Sequence, residues 1–199
     1  NYDHNYQYDG GTTTVWYSLA SGSATANVYT ATSAQDVDAV GFFTKSANVG
    51  YSVSVYANPT SATDPSSGTL VASASGTETY AGYHTVALDD PATLSSGETF
   101  AVVVTLTSAD GTNVWLAMDQ TTGYAEGYVT DTQSTTAQTT GQSFRRVGPA
   151  GASWIDMASN SATARIKAFT TDVTSFSLSY HTAMTGATAP DPEGAGSFR

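Results

Sequence analysis

Two apolar-patterned runs within residues 77–107 dominate the hydropathy pattern of the chain. In the first, Tyr80, Gly82, His84, Val86 and Leu88 fall on one side of an extended strand, with Ala81, Tyr83, Thr85 and Ala87 on the other. In the second, Phe100, Val102, Val104 and Leu106 share a face, against Thr99, Ala101, Val103 and Thr105. Alternation sustained this long predicts strands with one face in a core. The connection, Asp89-Asp90-Pro91-Ala92-Thr93-Leu94-Ser95-Ser96-Gly97, is rich in turn formers, and its proline has no N–H to give a ladder. The two runs are therefore expected to form the central antiparallel pair of an all-β domain.

Further strand candidates recur at about ten-residue intervals, the spacing of a β-sandwich. They cover residues 15–20, 24–30, 37–44, 51–58, 69–73, 112–118, 124–130, 142–147, 154–157 and 164–170. Loops rich in Ser, Thr, Asp, Pro and Gln interrupt them at 59–68 and 131–140. No stretch carries a helical apolar period, so no helix longer than a turn or two is expected, and no internal repeat is visible. Near the end, Phe176, Leu178 and Tyr180 alternate with serines, which predicts one more amphipathic strand, and residues 183–199 are a Gly/Ala/Pro stretch with little to bury. The expected organisation is one sandwich over residues 1–171 and a C-terminal extension over 172–199.

Composition narrows the function. Only 12% of the 199 residues are charged, and the formal net charge is −11 with six Lys plus Arg. Nucleic acid needs a row of cations to release its counterions, and anionic membrane surfaces need the same, so both are disfavoured as partners. Cysteine is absent, which removes thiolate catalysis, disulfides and Cys-ligated zinc. No run has the apolar length of a membrane span. The chain opens on Asn1 rather than Met, as expected of a processed or excised piece.

Candidate chemistry is sparse. His84 lies on the apolar face of the first run, where a half-buried, hydrogen-bonded structural histidine is expected. His4 and His181 sit in separate terminal segments without metal-ligand spacing. Gly141-Gln142-Ser143-Phe144-Arg145 lacks the second glycine of a nucleophile elbow, and no converging carboxylate pair is evident, so the domain is expected not to be an enzyme. Asp36 with Asp38, and Asp89 with Asp90, are expected at strand ends where loop carbonyls could complete an oxygen shell for Ca2+. Aromatic side chains can stack on the C–H face of a sugar. The N-terminal Tyr2, Tyr6 and Tyr8, together with Tyr124 and Tyr128, are the expected contacts, whereas Trp16, Trp115 and Trp154 read as core or sheet-edge residues.

Several stretches taken in order resemble the lectin-like domain that follows papain-type cysteine peptidase domains in secreted bacterial and archaeal proteins. They are Asn5-Tyr6-Gln7-Tyr8-Asp9-Gly10, Ala26-Asn27-Val28-Tyr29-Thr30-Ala31, Ala39-Val40-Gly41-Phe42-Phe43-Thr44 and Ala81-Gly82-Tyr83-His84-Thr85-Val86-Ala87-Leu88. Gly141-Gln142-Ser143-Phe144, Trp154-Ile155-Asp156 and Ile166-Lys167-Ala168-Phe169-Thr170 complete the series, which spans about residues 5–170. The resemblance implies a jelly-roll-like β-sandwich of two antiparallel sheets, extracellular or at the cell surface, with a binding or architectural role. It carries over no sugar site, because the family's shared residues are mostly strand and core positions, and no proteolysis, because the peptidase half is absent here. Arg145-Arg146-Val147-Gly148-Pro149-Ala150-Gly151 departs from the family pattern. Two functions are thus expected. One is self-association with other copies or with a cell-surface polymer, through strand addition by Phe176, Leu178 and Tyr180. The other is glycan binding through exposed aromatics.

Overall fold

The computed structural model describes residues 1–10, 14–120 and 139–173. Its strands are β1 (His4–Tyr6), β2 (Val15–Leu19), β3 (Ala24–Thr30), β4 (Gln35–Thr44), β5 (Val49–Ala57), β6 (Thr69–Glu78) and β7 (Gly82–Leu94), followed by β8 (Thr99–Ser108), β9 (Val114–Gln120), β10 (Ser143–Arg146), β11 (Trp154–Asp156), β12 (Ala162–Ala164) and β13 (Lys167–Asp172). A 3-10 turn, Met157–Asn160, is the only helical element among the described residues, and no helix there is long and apolar enough to cross a membrane.

The strands form a sheet of four (β1-β13-β4-β7), a sheet of six (β11-β10-β3-β8-β5-β6) and a sheet of three (β12-β9-β2). All pairings are antiparallel. The larger sheets pack face to face as a β-sandwich, and the small sheet completes the layer opposite the sheet of six. One apolar core joins them: Tyr29, Val53, Val55, Phe100, Val102 and Val104 meet Val40, Phe42, Val86, Leu88 and Leu94, with Leu116 and Met118 from the small sheet. These are the alternate positions of their strands, so the period-two pattern is satisfied by burial on one face.

The strand faces of residues 77–107 match the alternation, but their pairing does not. Strand β7 pairs with β4, and β8 lies between β3 and β5 in the opposite sheet. The expected central hairpin is therefore a crossing between layers. Asp89, Asp90 and Pro91 are not a turn. They form a bulge inside β7, where the register with β4 jumps from Ala39↔Ala87 to Val37↔Ala92. A bulge on an edge strand accommodates a proline as well as a turn does, because no partner asks for its N–H. The reversal comes later, where Glu98 N–H donates to the Ser95 carbonyl and Gly97 takes φ 81°.

The outer face of the sheet of six is unusual for a sandwich exterior. Ala24, Ala26, Val103 and Phe144 form a second buried cluster there, joined by partly buried Val28, Tyr56 and Trp154. Two loops fold over this face to bury it, residues 58–68 and 147–153, and they create the site described next.

Candidate functional site

The cleft between these loops has a volume of about 470 Å³, within the roughly 300–1,000 Å³ range of ligand pockets. Its floor is the outer face of β5 and β8, where Ser52, Ser54, Val103 and Thr105 alternate with core-facing valines. Tyr56 closes the end of β5. Trp154, on the edge strand β11, stands beside Arg146 of the adjacent β10, with the guanidinium 5.0 Å from the indole ring. Gly22 and the 149–152 turn complete one wall, and Asp64 and Ser66 contribute the other.

Loop 58–68 is long and polar, but internally tied. The Asp64 carboxylate accepts from Ser66 N–H at 2.8 Å and Ser66 Oγ at 2.5 Å, and its carbonyl accepts from Ser67 Oγ at 2.7 Å. Ser67 Oγ also accepts from Ser61 N–H at 2.9 Å, which closes the loop on itself. Trp154 Nε1 donates to Ser66 Oγ at 3.4 Å, linking the loop to β11. An aspartate that caps its own turn in this way gives a preformed wall.

Arg146 is the most unusual side chain in the cleft. It is only 7% exposed, and its Nε and Nη2 donate to the Gly148 and Gly22 carbonyls, each at 3.3 Å. Burial pulls the guanidinium below its usual pKa, and the fields of Tyr56 and Asp64 act in the opposite sense. Among the described residues no carboxylate stands within ion-pair distance of it.

The residues expected to bind are placed differently. Tyr6 and Tyr8 do not form a contact surface; they are packed into the core side of the sheet edge. Tyr6 meets Phe100 edge-on at 5.4 Å, and Tyr8 stacks on Tyr29 at 4.9 Å. The Tyr6 hydroxyl accepts from Gln35 Nε2 at 2.6 Å and Thr32 N–H at 2.9 Å, while the Tyr8 hydroxyl donates to the Val28 carbonyl. Burial raises the Tyr8 pKa. Tyr2 alone is exposed, stacked on Phe169 at 5.1 Å on the outer face of the sheet of four. Tyr124, Tyr128, Phe176, Leu178 and Tyr180 lie outside the described residues.

Of the four aspartates proposed for calcium, Asp36 is the second residue of β4, at its N-terminal end, while the other three lie farther inside strands. Asp36 and Asp38 lie within β4, accepting from Thr93 Oγ1 at 2.6 Å and Thr171 Oγ1 at 3.0 Å, and Asp89 and Asp90 lie within the β7 bulge. Among the described residues no three acidic or histidine side chains converge as a metal site.

Two histidines make hydrogen-bonded triplets. His84 Nε2 meets Thr44 Oγ1 at 2.9 Å and Nδ1 meets Glu78 at 3.1 Å, which is the bonding order of a hydrolase triad. Thr44 is 2% exposed, however, and its hydroxyl also donates to the Tyr80 carbonyl at 3.2 Å, so this triplet ties strand ends together. At the other histidine, Ser33 and Asp172 both meet the same nitrogen, His4 Nε2, an arrangement that cannot relay a proton. The bonds from Ser33 and His4 hold the Asp172 carboxyl below its usual pKa. A third polar cluster is buried: Asp9, with a fully buried carboxylate, lies 3.1 Å from Lys167 Nζ and 3.6 Å from Arg165 Nε.

Tyr56 and Arg146 are not among the residues expected to bind, and Trp154, expected in the core or at a sheet edge, does lie on the edge strand β11. Their signals were present but faint. Ser52, Ser54 and Tyr56 are the polar parity of a strand whose other parity is valine, and the departure from family pattern at residues 145–151 is the turn that walls the cleft.

Comparison with known proteins agrees with this architecture. A search of curated protein sequences finds no match. Among solved structures, the chain superposes on a clostridial cysteine protease, Cwp84, after propeptide cleavage, with a TM-score of 0.62 and 23% identity over 85% of this chain and 40% of that one. It also superposes on the cysteine protease and lectin-like domains of Cwp84, a surface layer associated protein of Clostridium difficile, with a TM-score of 0.58 and 24% identity over 80% of this chain and 36% of that one. The chain thus spans well under half the length of these structures. The sequence pattern of the lectin-like domain family matches residues 5–170, and the chain belongs to that family.

Proposed function

We propose that this domain is a non-catalytic, carbohydrate-binding accessory module of a cell-surface protein, and that its ligand lies in the cleft on the outer face of the sheet of six. One observation carries the reading. Two large aromatic side chains, Tyr56 and Trp154, stand over a floor of small hydroxyl-bearing residues, with Arg146 and Asp64 beside them. A saccharide presents apolar C–H faces and a dense set of hydroxyls. Aromatic rings can stack on the former, and Ser52, Ser54, Ser66 and Thr105 can exchange hydrogen bonds with the latter. Membership of the lectin-like family supports the binding role, and the surface association of Cwp84 supports the location.

Isothermal titration against cell-wall and host oligosaccharides, after an initial glycan array, tests this. Trp154→Ala and Tyr56→Ala should each weaken binding about ten-fold or more, as loss of a central aromatic anchor does. Tyr2→Ala should leave affinity unchanged. Binding that survives both cleft variants would place the ligand elsewhere.

A further inference from the structure

We infer that the cleft selects saccharides bearing a carboxylate, and that Arg146 is the residue that reads it. This deepens the carbohydrate-binding reading and rests on it. The charge of Arg146 is incompletely compensated by the described residues of the protein. Arg146 is 93% removed from solvent by the accessible fraction of 7%. Two of its nitrogens are held by neutral backbone carbonyls at 3.3 Å, long for a guanidinium bond, and one face is near the Trp154 ring. No carboxylate among the described residues reaches ion-pair distance. Asp64, on the loop wall of the same cleft, acts on the guanidinium only at longer range, and its Oδ1 is committed to Ser66.

A buried cation without a close counter-ion is costly, and an anionic group on a ligand seated beside it would complete the pair. The guanidinium is also fixed in orientation. Its bonds to Gly148 and Gly22, at the base of the 147–153 turn and at the β2–β3 connection, hold the plane of a residue that lines the cleft, and they leave Nη1 with no acceptor among the described residues. A planar, immobilised guanidinium is suited to a carboxylate, which it meets with charge-assisted hydrogen bonds. The neighbouring Ser66, Ser54 and Thr105 hydroxyls suit ring hydroxyls rather than a second anion, and Asp64 disfavours one. The ligand that fits is a hexuronic-acid unit within an otherwise neutral chain: one carboxylate at Arg146, the sugar ring against Trp154 and Tyr56. The net charge of −11 does not oppose this, because ionic screening confines distant charges to about 8 Å at physiological salt.

The test uses matched ligands and the described domain within its full chain. Uronic-acid oligosaccharides are titrated beside the same oligosaccharides after reduction of each carboxyl to a primary alcohol, on the wild-type protein and on Arg146→Gln and Arg146→Lys. The expected result is at least ten-fold tighter binding of the acidic member, a preference lost in Arg146→Gln and partly kept in Arg146→Lys, with the affinity for the neutral member the same in all three. Equal wild-type affinity for acidic and reduced ligands overturns the carboxylate inference while leaving the cleft reading intact. A wild-type preference that survives Arg146→Gln in a folded variant overturns the assignment to Arg146. No binding of either ligand, or of any neutral oligosaccharide, overturns both readings. The wild-type comparison needs no variant to fold, so a destabilised Arg146→Gln does not rescue the inference.

Discussion

Gly68 closes the loop that walls the cleft, and substituting it by alanine probes how rigidly that wall is set. A Cβ built on Gly68 falls 2.3 Å from the Ala57 carbonyl oxygen and 3.0 Å from both Ala57 C and Pro59 N. All three are backbone atoms at the other end of the same loop. Ordinary contact begins about 1 Å farther out, so the two loop stems must separate by that much. They are not free to do so, since Asn58 N–H donates to the Thr99 carbonyl at 2.8 Å and Ala57 pairs with Thr69 in the β5–β6 ladder. Overpacking of this kind costs about 1–3 kcal/mol. The smaller conformational freedom of alanine in the unfolded chain returns about 0.4–1 kcal/mol. A net loss of about 1–2 kcal/mol remains, which for a domain of this size lowers Tm by roughly 2–8 °C.

Gly41 supplies the control. Its added Cβ would lie 2.2 Å from Tyr83 Oη, nominally as tight, but that atom is the end of a side chain that is 43% exposed and can swing away. Gly41→Ala should therefore cost less than about 1 kcal/mol. Thermal unfolding by circular dichroism, with oligosaccharide titration on the same samples, separates the two. Gly68→Ala should lower both Tm and affinity, because Asp64 and Ser66 ride on the displaced loop, and Gly41→Ala should do neither. Equal Tm shifts for the two variants, or an unshifted Gly68→Ala, would refute the claim that a backbone contact pins the cleft wall.

Tyr6→Phe should destabilise the domain by about 1–3 kcal/mol in chemical denaturation without changing saccharide affinity, since it strips an acceptor from fully buried Gln35. Asp9→Asn should cost about 3–5 kcal/mol by leaving Lys167 and Arg165 facing a neutral side chain, and Asp9→Leu combined with Lys167→Met should recover part of it. The Asp110 carboxyl is lowered to about 2 by hydrogen bonds from Ser108 and Thr112, so its contribution is fully present above its unfolded value near 4 and is lost as pH falls toward 2. Acid titration of Tm should accordingly show a shallower decline across that window in Asp110→Asn than in the wild type. His84→Phe should lower Tm through loss of the Thr44 and Glu78 bonds while leaving saccharide affinity intact, because the triplet lies away from the cleft.

The fold class, and the side of each strand that meets the core, were legible because burial imposes a local period. Phe100, Val102, Val104 and Leu106 are 0–3% exposed, as their alternation requires. Pairing was not legible, since it depends on partners distant in sequence. Asp89-Asp90-Pro91 satisfies the chemistry of a turn and that of an edge bulge equally well, and only the register with β4 decides. The different placement of the N-terminal tyrosines was hidden for a related reason. Tyr2, Tyr6 and Tyr8 share a parity, but Tyr6 belongs to a three-residue strand facing Phe100, whereas Tyr2 precedes that strand and crosses to Phe169 on the outer face. The cleft was the least visible feature. It gathers Gly22, Ser54, Tyr56, Asp64, Arg146 and Trp154 from segments far apart in the chain, with no motif in any one of them.

That scattering bears on how such a site works. Adjacent strands are about 4.8 Å apart, so the three steps from β10 through β3 and β8 to β5 set Arg146 and the far side of the cleft about 14 Å apart. A floor built from hydrogen-bonded strands cannot deform to meet a ligand. Its depth must come from side-chain size instead: Ser52, Ser54 and Thr105 lie low, while Tyr56 and Trp154 stand at the margins. Of the two loops that wall the cleft, 58–68 is tied by its own hydrogen bonds through Asp64 and Ser67, and 147–153 is held at its base by Arg146 on the Gly148 carbonyl and by Gly148 N–H on Ser23 Oγ. Little conformational entropy is then left to lose on binding, so even the modest contacts of a saccharide register as affinity. Selectivity in a rigid trough must come from charge placed in advance, and Arg146, held by two carbonyls and lacking a close counter-ion among the described residues, is the charge so placed.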